Sequence, residues 1–224
     1  MSTTSSPPHP QRAVPPALTL PVDVWLIILL ESGRFNYLDL KSFGGVCRAF
    51  REIEQSPHLD NHLFRSPPSP LPLVQGQPIA WHPIFDHMGF LLWMNGKKAY
   101  FETWYGWGLR TDGITLEDEP VAHEFATTPA CTLFFTDTGG GALAENAQGV
   151  TVSDVFQAVA TMWSEKPPLD VCEETAALAV DPEYAVEDVD WRATLLRCDM
   201  FEGVQSIKVL EKGWVFMRAN RFGR

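Results

Sequence analysis

Two histidines, His58 and His62, stand four positions apart, the spacing that brings two metal ligands to one face of a helix. No Glu follows the first histidine and no third ligand is marked, so surface or packing roles are expected for this pair, as for the scattered His82, His87 and His123. The four cysteines, Cys47, Cys131, Cys172 and Cys198, lie 84, 41 and 26 residues apart, and none of these spacings is one that holds zinc or forms a redox disulfide. The triple glycine Gly139, Gly140 and Gly141 lacks the Gly-Lys-Ser/Thr ending of a phosphate loop and reads as a flexible loop. No Ser or Cys sits in a nucleophile elbow, and Glu187, Asp188 and Asp190 fall in a surface-like run. No motif in the residues supports catalysis, which leaves an enzyme in the second domain as a third reading, and no cofactor or metal is expected.

Binding chemistry has more to work with. Trp93, Tyr100, Phe101, Trp104, Tyr105 and Trp107 form an aromatic cluster dense enough to line a groove for a target, because aromatic side chains give much contact area at low entropy cost. The competing reading makes them core residues, since each buries so much surface. Charge narrows the choice of partner. Of a net charge of -11, residues 1 to 66 hold six Lys/Arg against six Asp/Glu, and residues 67 to 224 hold 11 against 22. An acidic surface repels phosphate, which disfavours nucleic acid and anionic membrane and favours a neutral or basic protein target. The unpaired cysteines point to a reducing compartment. The first eighteen residues lack the apolar core of a secretion signal, and a spanning helix needs ~20 predominantly apolar residues, so cytosol or nucleus is expected.

The elements that must position these groups divide the chain into four. Residues 1–18, rich in Ser, Thr and Pro, are expected to be an unstructured tail, 19–65 a small helical module, 66–78 a semi-stiff Pro-rich linker, and 79–224 an α+β domain with antiparallel strands. In the module, a helix follows Pro21 and Asp23 until Gly33, and Asn36 caps a second from Tyr37 to about Phe43. Gly44 and Gly45 are expected to break that helix before Val46, Cys47, Phe50 and Ile53 recur at helical spacing, with one more turn after Ser56. In the larger part, 90–94, 99–105 and 131–135 read as strands, the first two joined by the hairpin-forming MNGKK. Thr151 and Asp154 form a capping-box pattern ahead of a helix that runs to Pro167, Glu173 to Val180 reads as another helix, and 204–210 with 214–219 as a closing hairpin.

The run VWLIILL, Val24 to Leu30, is the informative stretch. Seven consecutive apolar positions cover the whole circumference of a helix, so neighbouring helices of the module cover one side and something else must cover the other. A module of this size buries too little surface to be secure alone, and neither a metal nor a disulfide is available to staple it. The residues here resemble an F-box: Leu20, Pro21, Asp23, Val24, Ile27 and Ile28, then Asp39, Leu40, Phe43, Val46, Cys47, Arg48, Phe50, Arg51 and Ile53. The resemblance covers residues 19 to about 55, with Phe50 standing where the family most often has Trp. It implies docking on the Skp adaptor of an SCF ubiquitin ligase, with Leu20 and Pro21 anchoring the entry and Val24, Ile28, Val46, Cys47 and Phe50 sharing one surface with the adaptor. Cys47 would then be a small buried apolar group; no base stands beside it in sequence.

Residues 79–224 would select the target, with Trp93, Tyr100, Trp104, Tyr105 and Trp107 as candidate contacts. His82-Pro83, the VTVSDVFQAV helix start, Arg197, Asp199, Gly203 and Phe216 resemble the recurrent features of an uncharacterised domain of basidiomycete fungi, which implies a fold and a fungal origin but no activity. The expected function is a non-catalytic substrate receptor. The alternative is a self-contained fungal scaffold whose F-box-like helices fold back on the second domain without binding an adaptor.

Overall fold

Pro21 lacks a backbone N–H and so suits the mouth of a helix, where that group would have no partner. Its carbonyl accepts from the N–H groups of Val24 (3.1 Å) and Trp25 (3.2 Å), and α1 runs Val22–Glu31 with Asp23 in its first turn. The structure is a computed structural model that describes residues 20–86, 93–95, 98–100, 120–137, 141–164, 169 and 201–221. Helix α1 gives way at Ser32, ahead of Gly33 at φ +62°. Helix α2, Tyr37–Val46, opens with a reciprocal cap: the Asp39 N–H donates to Asn36 Oδ1 (3.0 Å) and the Asn36 N–H donates to Asp39 Oδ2 (2.9 Å). A third helix, α3, spans Arg48–Glu54, and a single 3₁₀ turn follows at Pro57–Leu59.

Two expectations for this region are corrected. The glycine pair does not end α2; the break comes at Cys47, whose extended backbone (φ -159°) separates α2 from α3. Gly44 instead lies buried inside α2, where an added Cβ would stand 3.0 Å from both Cβ and Cγ of Glu54. A side chain there would hold the two helices apart, so the cost of glycine in a helix, about 1 kcal/mol, is offset by close packing of α2 on α3. Lys41 pairs with Glu54 across the same approach (3.6 Å). Leu26, Leu29, Leu40, Ile53 and Leu59 are buried, and a ring trio supports them: Phe43 stacks on Phe50 (centroids 4.0 Å), and Trp25 meets Phe50 edge-on (4.9 Å).

The second correction concerns the domain boundary. The chain divides into two units between Asp60 and Asn61, so the Pro-rich stretch 66–78 belongs to the second unit rather than bridging to it. The Gly76 N–H donates to the Val209 carbonyl (3.2 Å). At Gly213 (φ +78°) an added Cβ would come within 2.9 Å of the Leu73 carbonyl oxygen, and at Gly149 (φ +109°) within 3.0 Å of Pro68 Cδ. Proline removes donors, but it does not prevent a segment from lying along a surface that supplies them.

The second unit is built on a four-stranded sheet in the order β6-β5-β8-β7: β5 Leu133–Asp137, β6 Gly141–Glu145, β7 Phe201–Val209 and β8 Val215–Arg221. The β5–β6 and β7–β8 pairs are antiparallel and β5–β8 is parallel. Helix α4, Val152–Ser164, covers one face. Its Val152, Val155, Phe156, Val159 and Met162 share a core with Phe134, Ala142, Ala144, Val209, Val215 and Met217. Strand alternation sets this up, since inward and outward residues differ by one position along β5 and β6. The expected cap of α4 is present: the Asp154 N–H donates to Thr151 Oγ1 (3.2 Å) and the Thr151 N–H to Asp154 Oδ2 (2.9 Å). Two smaller antiparallel pairs complete the α+β unit, β1 Ala80–Trp81 with β4 Thr127–Thr128, and β2 Trp93–Asn95 with β3 Lys98–Tyr100. The helix expected over 173–180 lies outside the described residues.

Candidate functional site

On α1, Leu26 and Leu29 turn inward, which places Val24 and Ile27, with Ile28 beside them, on the opposite side of the cylinder. Exposure is 41% at Leu20, 52% at Val22, 36% at Val24, 54% at Ile27 and 70% at Val46. With Phe35, six large apolar residues of the described part of this unit face solvent against five that are buried. That inverts the usual economy of a small helical module. Fully burying one exposed side chain of this kind contributes about 1.5–3 kcal/mol, and since these are already about half-covered, covering this side of α1 would contribute about half of that per residue. Asp23 and Glu31, both exposed, stand at the two ends of the apolar stripe.

The expected adaptor residues fall into two groups. Leu20, Pro21, Val24 and Val46 are exposed, while Ile28, Cys47 and Phe50 are half-buried. Phe50 spends its ring on Trp25 and Phe43 inside the unit. Val22 and Ile27 were not among the expected contacts, yet they are two of the most exposed apolar residues of α1. The three-residue step from Val24 to Ile27 was the signal available in the sequence.

Among the expected target contacts, Trp93 and Tyr100 stand directly opposite each other in the β2–β3 ladder. Trp104, Tyr105 and Trp107 lie outside the described residues, as do His87 and the glycines Gly139 and Gly140; Gly141 is the first residue of β6. His58, His62 and His123 are exposed. Among the described residues, no group of three or more His, Cys, Asp and Glu side chains could hold a metal ion, and no helix is long and apolar enough to cross a membrane.

His82 pairs with a carboxylate inside the second unit. Fully buried, it accepts from the Ile84 N–H at Nδ1 (3.1 Å), so its hydrogen sits on Nε2, 2.9 Å from Glu124 Oε2, itself buried. Phe64 lies against the imidazole (centroids 4.8 Å). The pair joins the 3₁₀ turn Pro83–Phe85 to the turn Pro120–His123, a positioning role for a histidine that sequence spacing left among the scattered ones. Cys131 is equally removed from reactivity: burial pushes its thiol up to about 11, against smaller lowering effects from its hydrogen bond with Thr127 and from backbone groups.

No family model, no curated protein and no solved structure matches the chain.

Proposed function

We propose that the chain is a non-catalytic substrate-receptor subunit of an SCF-type ubiquitin ligase. Its first unit docks on the Skp adaptor through Leu20, Pro21 and the outer side of α1, and its second unit presents a recognition surface to a protein target. The observation that carries this reading is the apolar side of α1, where Val24 and Ile27 are exposed. The F-box resemblance of residues 19 to about 55 implies a partner whose apolar surface would complement that side. The work of such a subunit is positioning: it raises the effective concentration of the target near ubiquitin-transferring subunits, and needs no nucleophile of its own. The acidic balance of residues 67–224 favours a neutral or basic target.

Co-purification tests the reading. Leu20 and Pro21 are exposed, so Leu20→Ala with Pro21→Ala should leave the fold intact, with an unchanged circular-dichroism spectrum, and abolish capture of the adaptor. Equal capture by the double variant and the parent overturns the assignment.

A further inference from the structure

Four Ser/Thr-Pro dipeptides fall among the described residues, at Ser56-Pro57, Ser66-Pro67, Ser69-Pro70 and Thr128-Pro129. They are equivalent as sequence; the fold separates them. Ser56 is half-buried, and its carbonyl accepts from the Leu59 N–H at the opening of the 3₁₀ turn Pro57–Leu59. Ser66 is half-buried, and so is Thr128, which lies in β4 with Ala80 opposite. Of the four, Ser69 is the exposed one, and it lies outside every helix and strand.

Its exposure has a structural cause. The Pro-rich strap is held on the second unit at Pro68, which closes on Gly149, and again at Leu73 and Gly76, which meet Gly213 and Val209. Between these points Ser69, Pro70, Leu71 and Pro72 are all exposed, so the strap presents a short peptide at a fixed place. The proline at 70 disfavours helical backbone at Ser69 and pushes it toward the extended conformation in which protein kinases receive their substrates. Ser69 Oγ accepts from the Leu71 N–H (3.1 Å), which orients the oxygen while leaving its own hydrogen available.

We propose that Ser69 is the acceptor for a proline-directed serine/threonine protein kinase. Ser69 Oγ forms a bond to the γ-phosphorus of ATP, the bond from that phosphorus to the bridging β–γ oxygen breaks, ADP departs, and the hydroxyl proton passes to the carboxylate base of the kinase. The product carries about -1.5 to -2 charges at pH 7, set beside the Leu71 N–H that already points at Oγ. Because Ser69 lies between the anchor points and not at one of them, the second unit keeps its fold when modified. This inference stands whether or not the first unit binds an adaptor.

The test uses the intact protein, ATP and a purified proline-directed kinase, with phosphate located by tandem mass spectrometry over a short time course. Ser69 is expected to be phosphorylated roughly tenfold faster than Ser56, Ser66 or Thr128, the difference that local opening imposes on half-buried sites. Ser69→Ala should remove the fast site while leaving the slow labelling of Ser56, Ser66 and Thr128 unchanged. Native labelling of Ser66 or Thr128 at the rate of Ser69 overturns the proposal, as does a Ser69 that stays unmodified in native protein.

Discussion

Cys131, just ahead of β5, holds its proton to a pH at which an unfolded chain would have released it, because burial disfavours the thiolate. The folded thiol titrates at about 11 against 9.0 for the ordinary group, so its contribution is complete below about pH 9 and is lost as pH rises toward 11. Urea unfolding should therefore show the parent losing roughly 1 kcal/mol more than Cys131→Ala between pH 8 and pH 10. Parallel curves for the two proteins would refute that origin. At this scale the sequence was legible where residue type alone decides. The helix cap at Asn36 could be read directly. The His82–Glu124 pair could not, because 42 positions separate partners that only the fold of the second unit brings within 2.9 Å. The exposure of Ile27 was legible only through its three-residue step from Val24, since a run of seven apolar residues does not by itself say which of them the neighbouring helices choose.

At the scale of elements, local chemistry was the reliable guide. Asn36 with Asp39 and Thr151 with Asp154 cap their helices through reciprocal bonds, and the hairpin of β7 and β8 turns at Glu211–Gly213 between the runs expected to pair. Propensity misled at Gly44, where packing of α2 on α3 overrode the tendency of glycine to end a helix. Gly44→Val should consequently destabilise the first unit by about 1–3 kcal/mol, the usual cost of overpacking, although valine forms helix better than glycine. Gly45→Ala, with open space around the position, should not destabilise it. Thermal melts of the two variants make the comparison. If both shifted alike, the close approach at Glu54 would not be the reason for Gly44.

For the whole molecule, the division between Asp60 and Asn61 matters more than composition suggested. A proline-dense stretch reads as a linker because it carries few donors and little to bury, yet 66–78 lies close against glycines 149 and 213 of the second unit, whose lack of a Cβ leaves room for it. The α+β class was thus readable, while the boundary between the two units depends on contacts between residues far apart in sequence. The proposed function rests on the exposed apolar residues of α1. The direct measurement is calorimetric titration of the purified protein with purified Skp adaptor, comparing the parent with Val24→Asp plus Ile27→Asp. The parent should bind saturably and the double variant at least roughly a hundredfold more weakly, since two apolar contacts buried on docking are replaced by charges. Equal affinity for the two proteins, or no binding by the folded parent, would contradict it.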